Sequence, residues 1–366
     1  MEEITTRNHK KNCYLHIGMH KTGSTSIQNS LVSLNHPDFH YFKGGANHGV
    51  LLSLAFGDPL THTSVRRGLN TPEEAQAKSA KHREQFLQQL QTHKNRHLII
   101  SGEDLSIPQN FQVFKQVVRL IRPTHHVRTI AYVRDPWSLA ASSFQQQCKG
   151  YTKVSLNYAT LKPDYKSRFE AIEAFVADET ICYKNFSKKT LFKGDVVLDF
   201  AHHLNIPPAC FTYQRSNDSL SKEATCLLYA FKNSDIYRTA RKDKRSSRTM
   251  KAMIRALQTI GDSKLILGPE HWNAKNAKFM DELAWIEARI GMRFEHSIHA
   301  SSGVPIQSEQ QIFETAEHNA ALIDPLITGP AGPLNTLTDR LHALWEQTHH
   351  ALNAAAQPRA TSREKG

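Results

Sequence analysis

The chain has little of what marks several common classes of protein. Its five cysteines (Cys13, Cys148, Cys182, Cys210 and Cys226) are scattered, odd in number and include no C-x-x-C pair, which argues against a disulfide framework or a zinc ribbon. No HExxH occurs, and the doublets His125-His126, His202-His203 and His349-His350 are adjacent pairs that do not share one helix face. No metal requirement is therefore expected. No apolar run approaches the roughly 18–20 residues of a membrane span. The polar stretch Met1–Asn12 has no apolar h-region, so no secretory signal is expected and a reducing, cytoplasmic setting is. Acidic residues are the minority charge, 34 against 46 Lys+Arg, for a net +12. That balance predicts an anionic partner without naming it.

What is present is ordinary globular composition: 366 residues, 39% hydrophobic and 22% charged, enough for one large domain or two smaller ones. Strand-like runs occur at Cys13–Ile17, His97–Ile100, Val127–Val133 and Thr180–Tyr183, with a weaker one at Ser263–Leu267. Between them lie helical stripes, among them Phe111/Phe114/Val117/Val118/Ile121, Phe169/Ile172/Phe175/Val176, Ala224/Leu227/Leu228/Phe231 and Phe279/Leu283/Ile286/Ile290. Thr71-Pro72-Glu73-Glu74 reads as a capping box with proline at the first helical position, opening a polar helix to about His93. Strands alternating with helices predict an α/β fold with a central, mostly parallel sheet covered on both faces. Residues 1–12 read as a polar extension and residues 351–366 as a flexible tail. The excess charge is local. Nine basic and two acidic residues fall between Lys232 and Arg255, a net +7 of the +12.

The most informative segment is Leu15-His16-Ile17-Gly18-Met19-His20-Lys21-Thr22-Gly23-Ser24-Thr25-Ser26, a strand, a glycine-bearing turn and a helix whose stripe is Ile27, Leu31 and Leu34. Such a turn exposes backbone N–H groups and the positive end of a helix dipole. With Lys21 and the hydroxyls of Thr22, Ser24, Thr25 and Ser26 it suits an oxyanion. The lysine precedes Gly23, so the segment departs from GxxxxGK[ST]. A second segment, Val133-Arg134-Asp135-Pro136 through Ser142-Ser143-Phe144, sets an arginine at a strand end, an N-cap aspartate and a serine on the following helix. Arg134 and Ser142 could converge on one phosphate; equally, Asp135 could only cap and Arg134 pair with a surface carboxylate.

The first pattern, K-[TS]-G-[TS]-[TS], resembles the 5′-phosphosulfate loop of sulfotransferases. The second, R-D-P-x5-S-x-F, resembles their 3′-phosphate motif. Weaker echoes are Thr180–Phe186 with Asp199-Phe200 and Leu204, where Asn185 stands in place of the usual glutamate, and Arg215-Ser216-Asn217-Asp218-Ser219-Leu220-Ser221. The resemblance implies a three-layer P-loop NTPase-like fold over residues 13–350, with residues 57–96 and 232–270 as variable acceptor-side segments. It implies 3′-phosphoadenosine 5′-phosphosulfate (PAPS) as donor and 3′,5′-ADP as product, without a metal. Lys21, Thr22, Gly23, Ser24, Thr25 and Ser26 would hold the 5′-phosphosulfate, Arg134 and Ser142 the 3′-phosphate, and Lys21 would stabilise the leaving phosphate.

Transfer also needs a proton acceptor. Glu103, in Ser101-Gly102-Glu103-Asp104-Leu105 after a strand, lies where doubly wound sheets bind ligands, although it or Asp104 could equally cap the next turn. His48, in the glycine-rich Gly44–Gly49 segment, is the alternative base; His20 would add charge near the donor. The favoured acceptor is a hydroxyl on a glycan or lipid-linked sugar, with peripheral membrane contact open and no nucleic-acid partner. An ATP-dependent phosphotransferase on the same fold and an anionic-polymer-binding protein built on the Lys232–Arg255 cluster are the alternatives.

Overall fold

The structure is a computed structural model, and it describes residues 10–66, 68–150, 152–177, 179, 181–215, 219–243, 245–268, 272, 276–294 and 305–356. The chain divides into two compact units, residues 1–135, 164–216 and 277–294 in the first and residues 136–163, 217–276 and 295–366 in the second. The span 13–350 is thus shared between them.

The first unit is an α/β assembly. Its five strands are β1 (Lys11–His16), β2 (Phe39–Tyr41), β3 (His97–Ser101), β4 (His125–Val133) and β5 (Ile181–Asn185). All pairings are parallel, in the order β2-β3-β1-β4-β5. The central strands carry the apolar load: Cys13 and Leu15 of β1, Ile99 and Ile100 of β3 and the second half of β4 are buried, as a parallel sheet covered on both faces requires. Helices α1 (Ser24–Leu31), α2 (Gly49–Phe56), α3 (Thr63–Arg66), α4 (Pro72–Thr92) and α5 (Phe111–Ile121) precede β4 or lie between strands. Numbered along the chain, α8 (Tyr165–Val176), α9 (Val196–His203) and α13 (Ala277–Ile290) complete the unit. Ile27 and Leu31 of α1 and Val197 and Phe200 of α9 share one core with Ile99, Ile130 and Tyr132 of the sheet.

Local chemistry sets the boundaries. The capping box of α4 forms as expected: Glu74 N–H donates to Thr71 Oγ1 at 3.2 Å and Thr71 N–H to Glu74 Oε2 at 2.9 Å. β1 begins at Lys11, not after residue 12, because its register with β4 starts at the Lys11–His125 pair and Asn12 N–H donates to His97 Nδ1 at 3.0 Å. β2 has no forerunner in the hydropathy pattern. Ser263–Leu267 is not a strand; its one ladder contact is an isolated bridge from Leu267 to Ile306.

The second unit is helical: α6 (Pro136–Gly150), α7 (Tyr158–Leu161), α10 (Lys222–Asn233), α11 (Asp235–Ala240), α12 (Ser246–Leu257), α14 (Glu309–His318) and α15 (Leu337–Ala356). α10 is buried over nearly its whole circumference from Ala224 to Lys232 and is capped by Ser221, whose Oγ accepts from Ala224 N–H at 2.9 Å. Trp345 of α15 stacks on Phe231 with centroids 5.2 Å apart. Gln145, expected on a polar face of α6, is buried and donates to Leu220 O at 2.7 Å. Residues 351–356, expected to begin the flexible tail, are the last turns of α15; alanine-rich sequence has the highest helix propensity. Residues 357–366 lie outside the described residues. Among the described residues no helix is long and apolar enough to cross a membrane.

Candidate functional site at the carboxyl edge of the sheet

The connection after β1 leads toward one edge of the sheet, while that from β3 crosses β1 to reach β4. Ligands of open parallel sheets bind outside the carboxyl ends of strands where the order reverses in this way. The segment after β1 lies there. Ile17 N–H donates to Ile130 O at 2.9 Å and Met19 N–H to Tyr132 O at 3.1 Å, so the chain follows β4 before turning. The turn uses two left-handed residues, Lys21 (φ 66°) and Gly23 (φ 76°). For a lysine that conformation costs about 1–2 kcal/mol. Gly23 is required on two counts: a Cβ would stand 2.7 Å from Val196 Cγ1 and 3.1 Å from Phe186 Cε2, and its φ is positive.

Around this turn the hydroxyls divide by role. Thr22 Oγ1 donates to Met19 O at 2.6 Å and is buried, so its proton braces the loop. Ser24 Oγ is buried with no hydrogen-bond partner. Ser26 is buried and Thr25 exposed. Helix α1 starts from Gly23 with no side-chain cap and no acidic residue in its first turn, leaving the positive end of its dipole uncompensated.

Beneath the loop lies a second orphan. His16 Nε2 is buried and unpartnered, 2.9 Å from where a Cβ on Gly18 would stand. Its other nitrogen, Nδ1, is 2.8 Å from Ser101 Oγ, and Gln28 Nε2 donates to the same oxygen at 3.2 Å. Ser101 Oγ can serve Nδ1 either as donor or as acceptor. Burial lowers the His16 pKa to about 4, so the ring is neutral, and its Nε2 has no partner among the described residues.

Arg134 leaves the end of β4 and donates from Nη1 to Lys21 O at 2.9 Å, with its guanidinium 5.5 Å from the Phe186 ring centre. Burial lowers its pKa from the usual guanidinium value, with the Asp135 charge opposing; it remains a cation. The structure thus brings Lys21 and Arg134 together. Ser142 lies half-buried on α6, in the second unit. Arg215 is exposed and Asn217 lies outside the described residues.

Glu103 opens a short 3-10 turn, Glu103–Ser106, directly after β3. Its carboxylate is 3.9 Å from His20 Nε2, while Asp104 Oδ1 is closer at 3.0 Å. Glu103 is therefore brought to the loop. Asp104 is the partner sequence reasoning missed; the signal was the second acid after β3 and a histidine inside the loop. His48 is different. Its Nε2 donates to Phe42 O at 2.8 Å, and Nδ1 accepts from Ser101 N–H at 3.0 Å. Burial lowers its pKa to about 4. With both nitrogens committed to backbone, it holds β2 and β3 to the segment before α2 and has no lone pair for a substrate proton. Among the described residues no three His, Cys, Asp or Glu side chains gather as metal ligands.

The arrangement presents an uncapped helix start, two cations fixed by backbone geometry, two buried unsatisfied polar atoms and a carboxylate, all at one edge of a parallel sheet. Chemically, it can hold an oxyanion and take a proton beside it. Comparison of the chain with protein-family models, with curated proteins and with solved structures finds no match.

Proposed function

We infer that the chain is a PAPS-dependent sulfotransferase on a P-loop-like, three-layer α/β fold, acting on a hydroxyl of a glycan or lipid-linked sugar in a cytoplasmic setting. The observation that carries this reading is the loop Lys21–Ser26: the motif order K-T-G-S-T coincides with an uncapped helix start and with a buried Ser24 hydroxyl that has no partner. Buried polar atoms are rarely left unsatisfied, and an oxyanion of the donor supplies what Ser24 Oγ and the first N–H groups of α1 lack. In this reading Arg134 bears the 3′-phosphate.

In the transfer, the bond between donor sulfur and the bridging oxygen of the 5′-phosphate breaks as an acceptor oxygen bonds to sulfur from the opposite side. The acceptor proton passes to the Glu103 carboxylate, and the charge gathering on the bridging oxygen is met by Lys21. Positioning and charge neutralisation supply most of the acceleration, as in phosphoryl transfer.

Heat stabilisation of the full chain by nucleotides tests the donor class. Stabilisation by 3′,5′-ADP and not by ATP with Mg²⁺ is expected; the reverse result would assign a phosphotransferase. Glu103→Gln should keep the 3′,5′-ADP response while losing transfer, and retained turnover would move the proton to another group.

A further inference from the structure

The charge excess of the second unit has a shape. Lys149 at the end of α6, Lys232 on α10, Arg238 on α11, Arg241 and Lys242 in the following turn and Lys251 on α12 line a cleft of about 810 Å³ that has no acidic lining residue. The nearby acids are engaged at the rim or elsewhere: Asp235 pairs with Arg238 at 2.6 Å, and Asp243 lies 3.7 Å from both Arg245 and His349, neither of which lines the cleft. Lys232 is only 5% exposed. Its Nζ donates to Tyr237 Oη at 3.2 Å and lies 4.6 Å from that ring's centre, and burial lowers its pKa to about 8. Ser246 and Ser247, in the first turn of α12, also line the cleft. That helix has no side-chain cap and no acid in its first turn, so its positive end adds to the field. Lys244 lies outside the described residues.

We propose that this cleft binds an anionic saccharide chain, its sulfate or carboxylate groups on the exposed Arg241, Lys242 and Lys251 within the field of the other cleft cations, and its hydroxyls on Thr152, Ser246 and Ser247. Three observations select this class. Single-stranded nucleic acid is held in large part by stacking of its bases on open aromatic faces, but Tyr237 is 7% exposed and packs on Phe231 and Trp345. Insertion into a lipid surface needs exposed apolar side chains beside the charge, and among the described residues α11 and α12 carry no large exposed hydrophobic. The charge is set in a concavity rimmed by hydroxyls, which matches a flexible, hydroxylated polyanion. That the bound chain is the acceptor rests on the sulfotransferase reading; that it binds does not.

Binding of a fluorescent short dextran sulfate oligomer to the full chain, measured by polarisation, tests the proposal. Dextran sulfate should bind and neutral dextran of the same length should not. Arg241→Glu with Lys251→Glu should weaken binding roughly tenfold or more, and Lys242→Glu alone should weaken it in the same direction. Arg241→Lys with Lys251→Arg should retain it. No binding by the wild type, or equal binding by the charge-reversed variants, overturns the proposal. Tighter, equally Arg241- and Lys251-dependent binding of single-stranded DNA or of anionic lipid vesicles also overturns the saccharide assignment. Stabilisation by 3′,5′-ADP reads the first unit separately. If it persists while dextran sulfate fails, only this proposal falls; if dextran sulfate binds while 3′,5′-ADP fails, only the donor reading falls.

Discussion

The two units offer positive charge to anions in opposite ways. In the first, two cations are held by backbone: Lys21 by its left-handed turn and Arg134 by its bond to the Lys21 carbonyl. The remaining donors there are a helix start and a buried serine hydroxyl. In the second, six cations line one cleft, and Arg238, Arg241, Lys242 and Lys251 among them are exposed. Fixed, desolvated donors discriminate by geometry, because a ligand that misses them leaves buried groups unpaired. Exposed cations discriminate little and weaken with salt. The first unit therefore has the equipment of a specific site and the second that of a tether.

The largest effect that would sharpen this contrast is expected from Lys21→Ala, which should lower transfer on the order of 10³-fold while leaving dextran sulfate binding in the second unit unchanged. A comparable loss of both would break the distinction. Gly23→Ala should cost roughly 2–4 kcal/mol, from the left-handed backbone and the contact with Val196; chemical denaturation measures it, and an unchanged midpoint would remove the steric account of the turn.

Acid should act on the first unit through its buried imidazoles, His16 and His48 foremost. Burial lowers the His16 and His48 pKa values from the ordinary 6.5 to about 4. The unfolded chain therefore binds more protons between these values, and the stability contributed is complete above pH 6.5 and lost as pH falls toward 4. The slope should reach roughly 1.4 kcal/mol per pH unit for each imidazole. A denaturation free energy that stays flat from pH 7 to 4.5 would contradict their burial. The smallest effect distinguishes a ligand group from a structural one. Ser24→Ala removes a hydroxyl that has no partner among the described residues, so stability should hold or rise slightly while 3′,5′-ADP affinity falls about fivefold. A stability loss without an affinity loss would make Ser24 structural.

Much of the first unit was readable in advance because its signals are local. The β1–loop–α1 segment, the α4 capping box and the β4–Pro136 junction each depend on a few neighbouring residues and form close to where they were expected, β1 starting two residues earlier and α1 ending at Leu31, short of Leu34. What was not readable depends on distant partners. β2 is three residues long, too short for periodicity to show. The apolar run Ser263–Leu267 meets only Ile306, so it never becomes a ladder. His48 looked reactive in its glycine-rich context, yet Phe42 and Ser101 take both nitrogens. The Thr22 hydroxyl closes on Met19, a choice the loop's sequence does not reveal. In the second unit the +7 cluster was plain, but its concavity was not, since it needs Lys149 from a helix more than eighty residues away from Lys232.

The central claim is that the first unit recognises a nucleotide with phosphates at both ends of its ribose. Titration calorimetry of the full chain with 3′,5′-ADP and with 5′-AMP, repeated on Arg134→Ala, tests it most directly. The account predicts that the wild type prefers 3′,5′-ADP by roughly tenfold to a hundredfold and that Arg134→Ala abolishes most of that preference. Equal affinity of the wild type for the two nucleotides would contradict it.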